Sequence, residues 1–187
     1  IGKKFLHPGP GYGGSCFPKD TQALVKIAQE HQVSSRIVQA VIEVNSAQKA
    51  RMTDKIRQAL GGTEQGKRIA ILGLTFKPET DDMRDAPSLT ILPALIDKGA
   101  TICAHDPQGV EAAASLLPTG VTYCDDIFVA IKGADAIVLM TEWNQYRGLD
   151  LAKVLNVMHG NVFIDLRNVY EREHMHNAGF EYYCVGR

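Results

Sequence analysis

Residues 68–106 read RIAILGLTFKPETDDMRDAPSLTILPALIDKGATICAHD, and the order of patterns in this stretch decides the fold. Arg68 to Leu72 is a short apolar run of strand type. Ser88 to Lys98 is an amphipathic helix closed by Gly99, and Thr101 to Ala104 is a second apolar strand ending at His105-Asp106-Pro107. Two apolar strands joined through a helix pair in parallel, and strands with no polar face are covered on both sides. The alternation continues downstream. Helices are expected at Val110 to Leu117, Asp125 to Lys132 and Leu149 to Met158, and strands at Ala136 to Met140, Val162 to Asp165 and Tyr182 to Val185. Residues 66–187 therefore read as an α/β domain, a doubly wound Rossmann-like parallel sheet.

Upstream the period changes. Leu24, Ile27 and Ala28 recur at helical spacing in a segment that runs to about Gln32. Ile37, Val41, Val44, Met52, Ile56 and Leu60 mark a second helix from about Arg36 to Leu60, with Ser34 or Ser35 available as a cap and Gly61-Gly62 as the stop. Such a helix is roughly 37 Å long, more than a small domain needs, and is expected to bridge domains or subunits. Residues 1–65 thus form a loop and a helical central region ahead of the α/β domain.

Composition narrows the class. The 187 residues are 45% hydrophobic, and 20 basic against 21 acidic side chains leave a net charge of -1. No Lys/Arg run offers a nucleic-acid face, and no apolar run approaches the roughly 18 residues of a membrane span. Neither a nucleic acid nor a membrane is an expected partner. The four cysteines, Cys16, Cys103, Cys124 and Cys184, have no CxxC spacing and read as reduced thiols of a cytoplasmic protein. No zinc pattern is present among the His and Cys residues, so no metal is expected. The chain starts without Met and enters directly into a motif, which reads as part of a longer polypeptide.

That motif, residues 8–21, is PGPGYGGSCFPKDT. Gly9, Gly11 and Gly14 match G-x-G-x-x-G literally, but a dinucleotide fingerprint follows a strand within a βαβ unit, and here two helices follow instead. Glycines let backbone approach a ligand closely and adopt positive φ. Cys16 lies just ahead of a helix whose first turn accepts Pro18. The helix N-terminus and Lys19 favour a thiolate, and Asp20 is placed to orient a water. A lone cysteine is more often a small buried residue. A nucleophile, a cation and a carboxylate within five residues instead describe a covalent catalytic site.

A second constellation follows the first strand of the sheet. Residues 73–88, GLTFKPETDDMRDAPS, lie where ligands of doubly wound sheets bind, outside the carboxyl ends of the strands. Phe76 can stack on a base, Lys77 can meet a phosphate as a point charge, and Arg84 can bind one through two N–H groups. Only Gly73 stands where a dinucleotide site needs three glycines. Asp106, at the end of the second strand, is expected to serve the loop or cap a helix.

Both segments resemble the UDP-glucose/GDP-mannose dehydrogenase family of nucleotide-sugar dehydrogenases. The cysteine segment is similar to that family's cysteine motif, and LGLTFKPETDDMRDAPS to its second characteristic stretch. Thr141-Glu142-Trp143 and Asp165-Leu166-Arg167-Asn168 are weaker matches that extend the likeness over nearly the whole chain. The resemblance implies an NAD-dependent oxidation of a sugar C6 alcohol to a carboxylate in two steps. Cys16 would capture the intermediate aldehyde as a thiohemiacetal and then carry a thioester, two NAD would be consumed, and Asp20 would position or activate water. It further implies that Phe5, Leu6, Gly13, Phe76, Lys77 and Arg167 face the nucleotide-sugar, that Arg84 reaches the NAD pyrophosphate, and that the long helix packs in a homodimer. The Ser-Cys-Phe-Pro-Lys-Asp-Thr run and the Thr-Glu-Trp triplet fit members acting on UDP-glucose better than those acting on N-acetylhexosamines, while GDP-mannose remains open, as does a non-catalytic nucleotide-binding module. Family members hold most of the NAD in an N-terminal domain that these residues do not include. The polypeptide alone is therefore expected to be inactive.

Overall fold

A computed structural model describes Gly2 and residues 6–186. Two helices come first, α1 (Phe17–Glu30) and α2 (Arg36–Ala59). The alternating region then runs β1 (Arg68–Leu72), α3 (Ser88–Asp97), β2 (Thr101–His105), α4 (Val110–Leu116), β3 (Val121–Tyr123), α5 (Ile127–Ile131) and β4 (Ala136–Leu139). It ends with α6 (Asn144–Arg147), α7 (Leu151–Val157), β5 (Val162–Asp165), α8 (Arg172–Asn177) and β6 (Glu181–Cys184). The six strands form one parallel sheet in the order β3-β2-β1-β4-β5-β6. Winding outward from β1 and then back across to β4 leaves a switch point between those two strands. The loops that follow them diverge there, which is where a doubly wound sheet offers a crevice.

The sheet is an α/β layer with apolar side chains on both faces. Ile69 and Ile71 of β1 join Ile102, Ala104, Val138 and Ile164 on one face, under α2 and α3. Ala70 and Leu72 join Ile137, Leu139 and Phe163 on the other, with Tyr146 and Val154 packed against them. Successive strand residues point to opposite faces, so a slip of one residue would exchange the two cores.

Helix α2 has two different halves. Met52, Ile56 and Ala59 are buried against the α3 side of the sheet, which fixes the helix to the α/β layer. Its first half projects clear of that layer, leaving Ile37 82% and Val44 67% exposed. Helix α1 packs along this half and buries only Pro18. The helix ends as its glycines dictate, with Gly61 and Gly62 both at positive φ (81° and 97°).

Several local features differ from the sequence reading. Ser35 occupies the N-cap of α2, but its side chain makes no capping hydrogen bond. The helix expected over 149–158 is α7, which starts two residues later because the Asp150 carboxylate caps it by accepting from the Lys153 amide, and a short unanticipated helix, α6, precedes it and ends at Gly148. The three-residue strand β3 and the six-residue helix α8 are too short to carry a periodic signal.

Behind the sheet's carboxyl edge, His105 is buried against Tyr146. The Tyr146 hydroxyl donates to the His105 carbonyl at 2.8 Å and lies 2.8 Å from His105 Nδ1. The hydroxyl has one proton, and the carbonyl takes it. Burial holds its pKa below the usual histidine range, against the opposing pull of Asp106. The unfolded imidazole titrates near 6.5, so stability from this group is complete above about pH 6.5 and is lost as pH falls toward the depressed folded value. Melting temperature should therefore drop between about pH 7.5 and about pH 5.5, and His105→Gln should flatten that drop. Equal slopes for the parent and the variant would contradict a buried neutral His105.

Candidate active site

Cys16 is the N-cap residue of α1, and Pro18 fills that helix's first turn. Of the four cysteines it alone is exposed, whereas Cys103, Cys124 and Cys184 are buried. Its Sγ lies 3.6 Å from Ser15 Oγ. Tyr12 and Phe17 bracket the turn with an edge-to-face contact, ring centroids 4.6 Å apart.

The loop before Cys16 is held from below by one face of α2. Asn45 both accepts from the Tyr12 amide (2.8 Å) and donates to the Tyr12 carbonyl (3.1 Å). Gln48 donates to the Gly9 carbonyl at 3.0 Å. Gly11, at φ +127°, has no room for a side chain, since a Cβ would stand 2.9 Å from Asn45 Oδ1 and from Lys49 Cγ. Asn45, Gln48 and Lys49 fall at i, i+3 and i+4, one stripe of the helix.

From above, the loop meets the segment that follows β1. A Cβ on Gly13 would lie 2.5 Å from the Asp85 carbonyl oxygen and 3.0 Å from Phe76 Cβ. One on Gly14, at φ +87°, would lie 2.8 Å from the edge of the Phe76 ring. The Gly14 amide donates to the Arg84 carbonyl at 2.7 Å. Phe76 therefore stacks on glycine backbone two and three residues from Cys16. The glycines that resemble a dinucleotide fingerprint are occupied by this chain's own atoms: Gly9 abuts the Arg167 guanidinium, Gly11 abuts α2 and Gly14 abuts Phe76.

The charged groups around this junction are mutually paired. Lys77 Nζ sits 5.3 Å from the Phe76 ring centroid, a cation–π distance. Arg84 grips Asp82 through two 2.9 Å hydrogen bonds, Nε to Oδ1 and Nη2 to Oδ2, which hold the Asp82 carboxyl below its usual range. A hollow of about 310 Å³ adjoins Arg84, between residues 81–84 and α4. A larger one, about 360 Å³, lies away from these loops between Lys55 of α2 and the edge strand β6. Convergence of the two motif loops, not the size of a hollow, marks the candidate site.

The loops after β4 and β5 complete it. Glu142 and Arg167 form a partly buried pair, Arg167 Nη2 donating to Glu142 Oε1 at 2.6 Å. Nε approaches Oε2 equally closely but is not aligned as a hydrogen bond. Asp165, fully buried, organises the turn that presents Arg167 by accepting from the amides of Arg167, Val169 and Tyr170 and from the Tyr182 hydroxyl. Asn168 takes φ 52° and exchanges hydrogen bonds with Val185 in both directions. The two weaker sequence matches thus meet as one ion pair across neighbouring strands.

Asp106 is committed to structure. One carboxylate oxygen accepts from the Leu74 and Thr75 amides and from Trp143 Nε1, and the other from the Gln108 and Gly109 amides. Opposite it, Gly73 (φ +93°) packs directly on Thr141, whose hydroxyl donates to the Thr75 carbonyl at 2.6 Å. Gly73, Thr75 and Thr141 pack together at the switch point, and Asp106 beside them is spent on loop amides.

Three expected residues remain. Phe5 lies outside the described residues, and Leu6 is 75% exposed. Asp20 is exposed on the first turn of α1 and pairs with Lys19 at 3.3 Å, so the lysine charge meets this carboxylate rather than standing free for the thiol. Asn45, Gln48, Lys49 and Glu142 belong to the site's framework and were not anticipated as such. Only the helical spacing of the first three could have pointed to them. Among the described residues no group of three or more metal-ligating side chains converges, and no helix is long and apolar enough to cross a membrane.

Comparison with known proteins gives the chain its family. Residues 70–172 match the UDP-binding domain of the UDP-glucose/GDP-mannose dehydrogenase family, and residues 1–47 match its central domain. All 187 residues align with a UDP-glucose 6-dehydrogenase of Rhizobium meliloti (strain 1021) at 48% identity, over 43% of that protein. The UDP-glucose 6-dehydrogenase YwqF of Bacillus subtilis (strain 168) aligns at 46%, over 42% of its length. A solved UDP-glucose dehydrogenase from Pyrobaculum islandicum superposes with a TM-score of 0.82 at 33% identity, over 98% of this chain and 40% of that one. An NDP-N-acetyl-D-galactosaminuronic acid dehydrogenase from Methanosarcina mazei Go1 gives 0.84 at 30%, over 96% and 39%. The chain spans about two fifths of the length of these relatives. With a UDP-binding-domain match over more than half its length, the chain belongs to the UDP-glucose/GDP-mannose dehydrogenase family.

Proposed function

We propose that these residues are the cysteine-bearing, nucleotide-sugar-binding part of a UDP-glucose 6-dehydrogenase that forms UDP-glucuronate. The observation that carries this reading is the stacking of Phe76 on Gly14, which brings the Cys16 loop onto the loop after β1. Residues 1–65 then form the cysteine loop and a central helical region, and residues 66–187 the domain that grips the nucleotide. The sugar is assigned to the neighbourhood of Gly13, where the cysteine loop meets the loop after β1. Phe76 and Lys77 meet the nucleotide, with Phe5, Leu6 and Arg167 completing the pocket. Arg167 reaches the ligand by exchanging part of its pairing with Glu142.

The chemistry assigned to this chain is carried by one thiol. The C6 alcohol first loses a hydride and a proton to become an aldehyde, and Cys16 Sγ adds to it, giving a thiohemiacetal. Loss of a hydride and a proton leaves a thioester, and water hydrolyses it to the carboxylate, returning the thiol. Asp20, one turn into α1, orients that water. NAD, when bound, supplies the acceptor for the two hydrides. The Asp106 carboxylate, at the strand end where a dinucleotide site would hold a ribose, is spent on loop amides. Arg84 is the one side chain assigned to the pyrophosphate, and Asp82 must release it first. NAD binding is thus assigned to protein outside these residues. Leu24, Ile27, Ile37 and Val44 leave an exposed apolar face on α1 and α2, which supports a homodimer through the long helix, and the free cysteines support a cytoplasmic setting.

UDP-glucose should raise the melting temperature of this chain and GDP-mannose should not, because a ligand bound only by the native state adds to the unfolding free energy. A larger shift with GDP-mannose would transfer the assignment to that substrate, and no shift with either would remove it. Iodoacetamide should label the native chain once, at Cys16, and saturating UDP-glucose should slow that labelling several-fold. Labelling that UDP-glucose leaves untouched would favour a binding module in which the thiol is inert. The 187-residue polypeptide mixed with UDP-glucose and NAD should form no NADH, and clean turnover would show that it holds a dinucleotide after all.

A further inference from the structure

The stripe of α2 beneath the cysteine loop contains a buried cation that the proposed chemistry does not use. Lys49 is 8% exposed. Among the described residues its Nζ has one hydrogen-bond partner, the Asp85 carbonyl, to which it donates at 2.8 Å, and no carboxylate within ion-pair distance. Burial lowers its pKa, with Asp85 pulling the other way. An ammonium removed from water and paired with a neutral carbonyl is an expensive way to fill space. Met or Leu would pack the same volume at no such cost, so the donor itself needs an explanation.

The position of the Asp85 carbonyl supplies one. Asp85 adopts φ 51°, a left-handed conformation that a non-glycine residue takes at an energetic penalty. That conformation points its oxygen at Lys49 Nζ and also places it where a side chain on Gly13 would be. The Lys49 stem meanwhile packs under Gly11. One side chain therefore touches the cysteine loop along its methylenes and the loop after β1 with its amine. Of the two loops, Asn45 and Gln48 hydrogen-bond to the cysteine loop.

We propose that Lys49 is a positioning residue, whose amine holds the Asp85 carbonyl against Gly13 and so fixes the cysteine loop and the 73–87 loop in one register. The inference rests on the reading that Cys16 and Phe76 share a site. Lys49 itself touches no reacting atom. It acts through Asp85 and Gly13 on the gap in which the sugar is to lie.

The test is amide exchange of Gly14, whose N–H bonds to the Arg84 carbonyl in the clamped register, combined with UDP-glucose binding. Lys49→Met should speed Gly14 exchange about tenfold, the scale of one hydrogen bond to a charged group. Exchange at Ile71 and Val138 in the sheet should stay unchanged. Lys49→Arg, which keeps a donor in reach of the Asp85 carbonyl, should recover most of the protection and of the UDP-glucose affinity lost in Lys49→Met. Unchanged Gly14 exchange in Lys49→Met, or equal acceleration in both variants, would overturn the proposal, the latter because packing rather than the donor would then matter. In the parent chain, acylating reagents should modify exposed Lys19 well before Lys49, and equal rates would overturn the proposal without any variant having to fold. If the parent binds no UDP-glucose, the functional reading fails, while Gly14 exchange still decides whether Lys49 holds the loops.

Discussion

The Gly13–Gly14 backbone lies in van der Waals contact with Phe76 and Asp85, and every other feature of the candidate site depends on that contact. Two segments more than sixty residues apart in sequence meet there with no side chain between them. Neither could approach so closely if either glycine carried a Cβ, because the atoms in the way at Gly13 are backbone and cannot rotate aside. The contact turns an exposed thiol at a helix N-terminus into a thiol at the rim of a sheet's ligand-binding edge. Without it, nothing would hold Cys16 beside the loop after β1.

The sheet makes the meeting place predictable. β1, β4 and β5 are neighbours, so the loops carrying Phe76, Glu142 and Arg167 emerge side by side at one edge. Helix α2 crosses beneath them because Met52 and Ile56 anchor its second half in the core. Its polar stripe then reaches the cysteine loop from the opposite side. The site is thus sandwiched between a helix fixed by apolar burial and loops fixed by buried carboxylates, Asp106 and Asp165, each spending its lone pairs on loop amides. The two arginines assigned to ligands are each held by an acid, Arg84 by Asp82 and Arg167 by Glu142. Anionic groups entering the site would compete with those carboxylates, which keeps both guanidinium groups oriented before a ligand arrives.

Much of this was legible in the sequence because the informative signals are local. Apolar runs bounded by glycine and proline located five of the six strands, and the crowding of glycines around Cys16 marked a loop that needs close backbone approach. Asp106 was legible for a similar reason, as an acid at a strand end with no glycine fingerprint to serve. What escaped notice depends on distance through space. Asn45, Gln48 and Lys49 look like the solvated face of a long helix until the glycine loop is laid across them. Glu142 and Arg167 are separated by 25 positions, and nothing in either motif announces the pair. Val121-Thr122-Tyr123 forms an edge strand only because β2 offers it a partner, and three residues cannot show a period.

The most direct measurement is the nuclear Overhauser effect between the Gly14 α-protons and the Phe76 ring in the folded chain. The account predicts strong cross-peaks, together with contacts from Gly13 to Asp85. A Phe76 ring that shows contacts only within its own loop, with none to residues 13 and 14, would contradict the claim that the thiol loop and the nucleotide loop form one site.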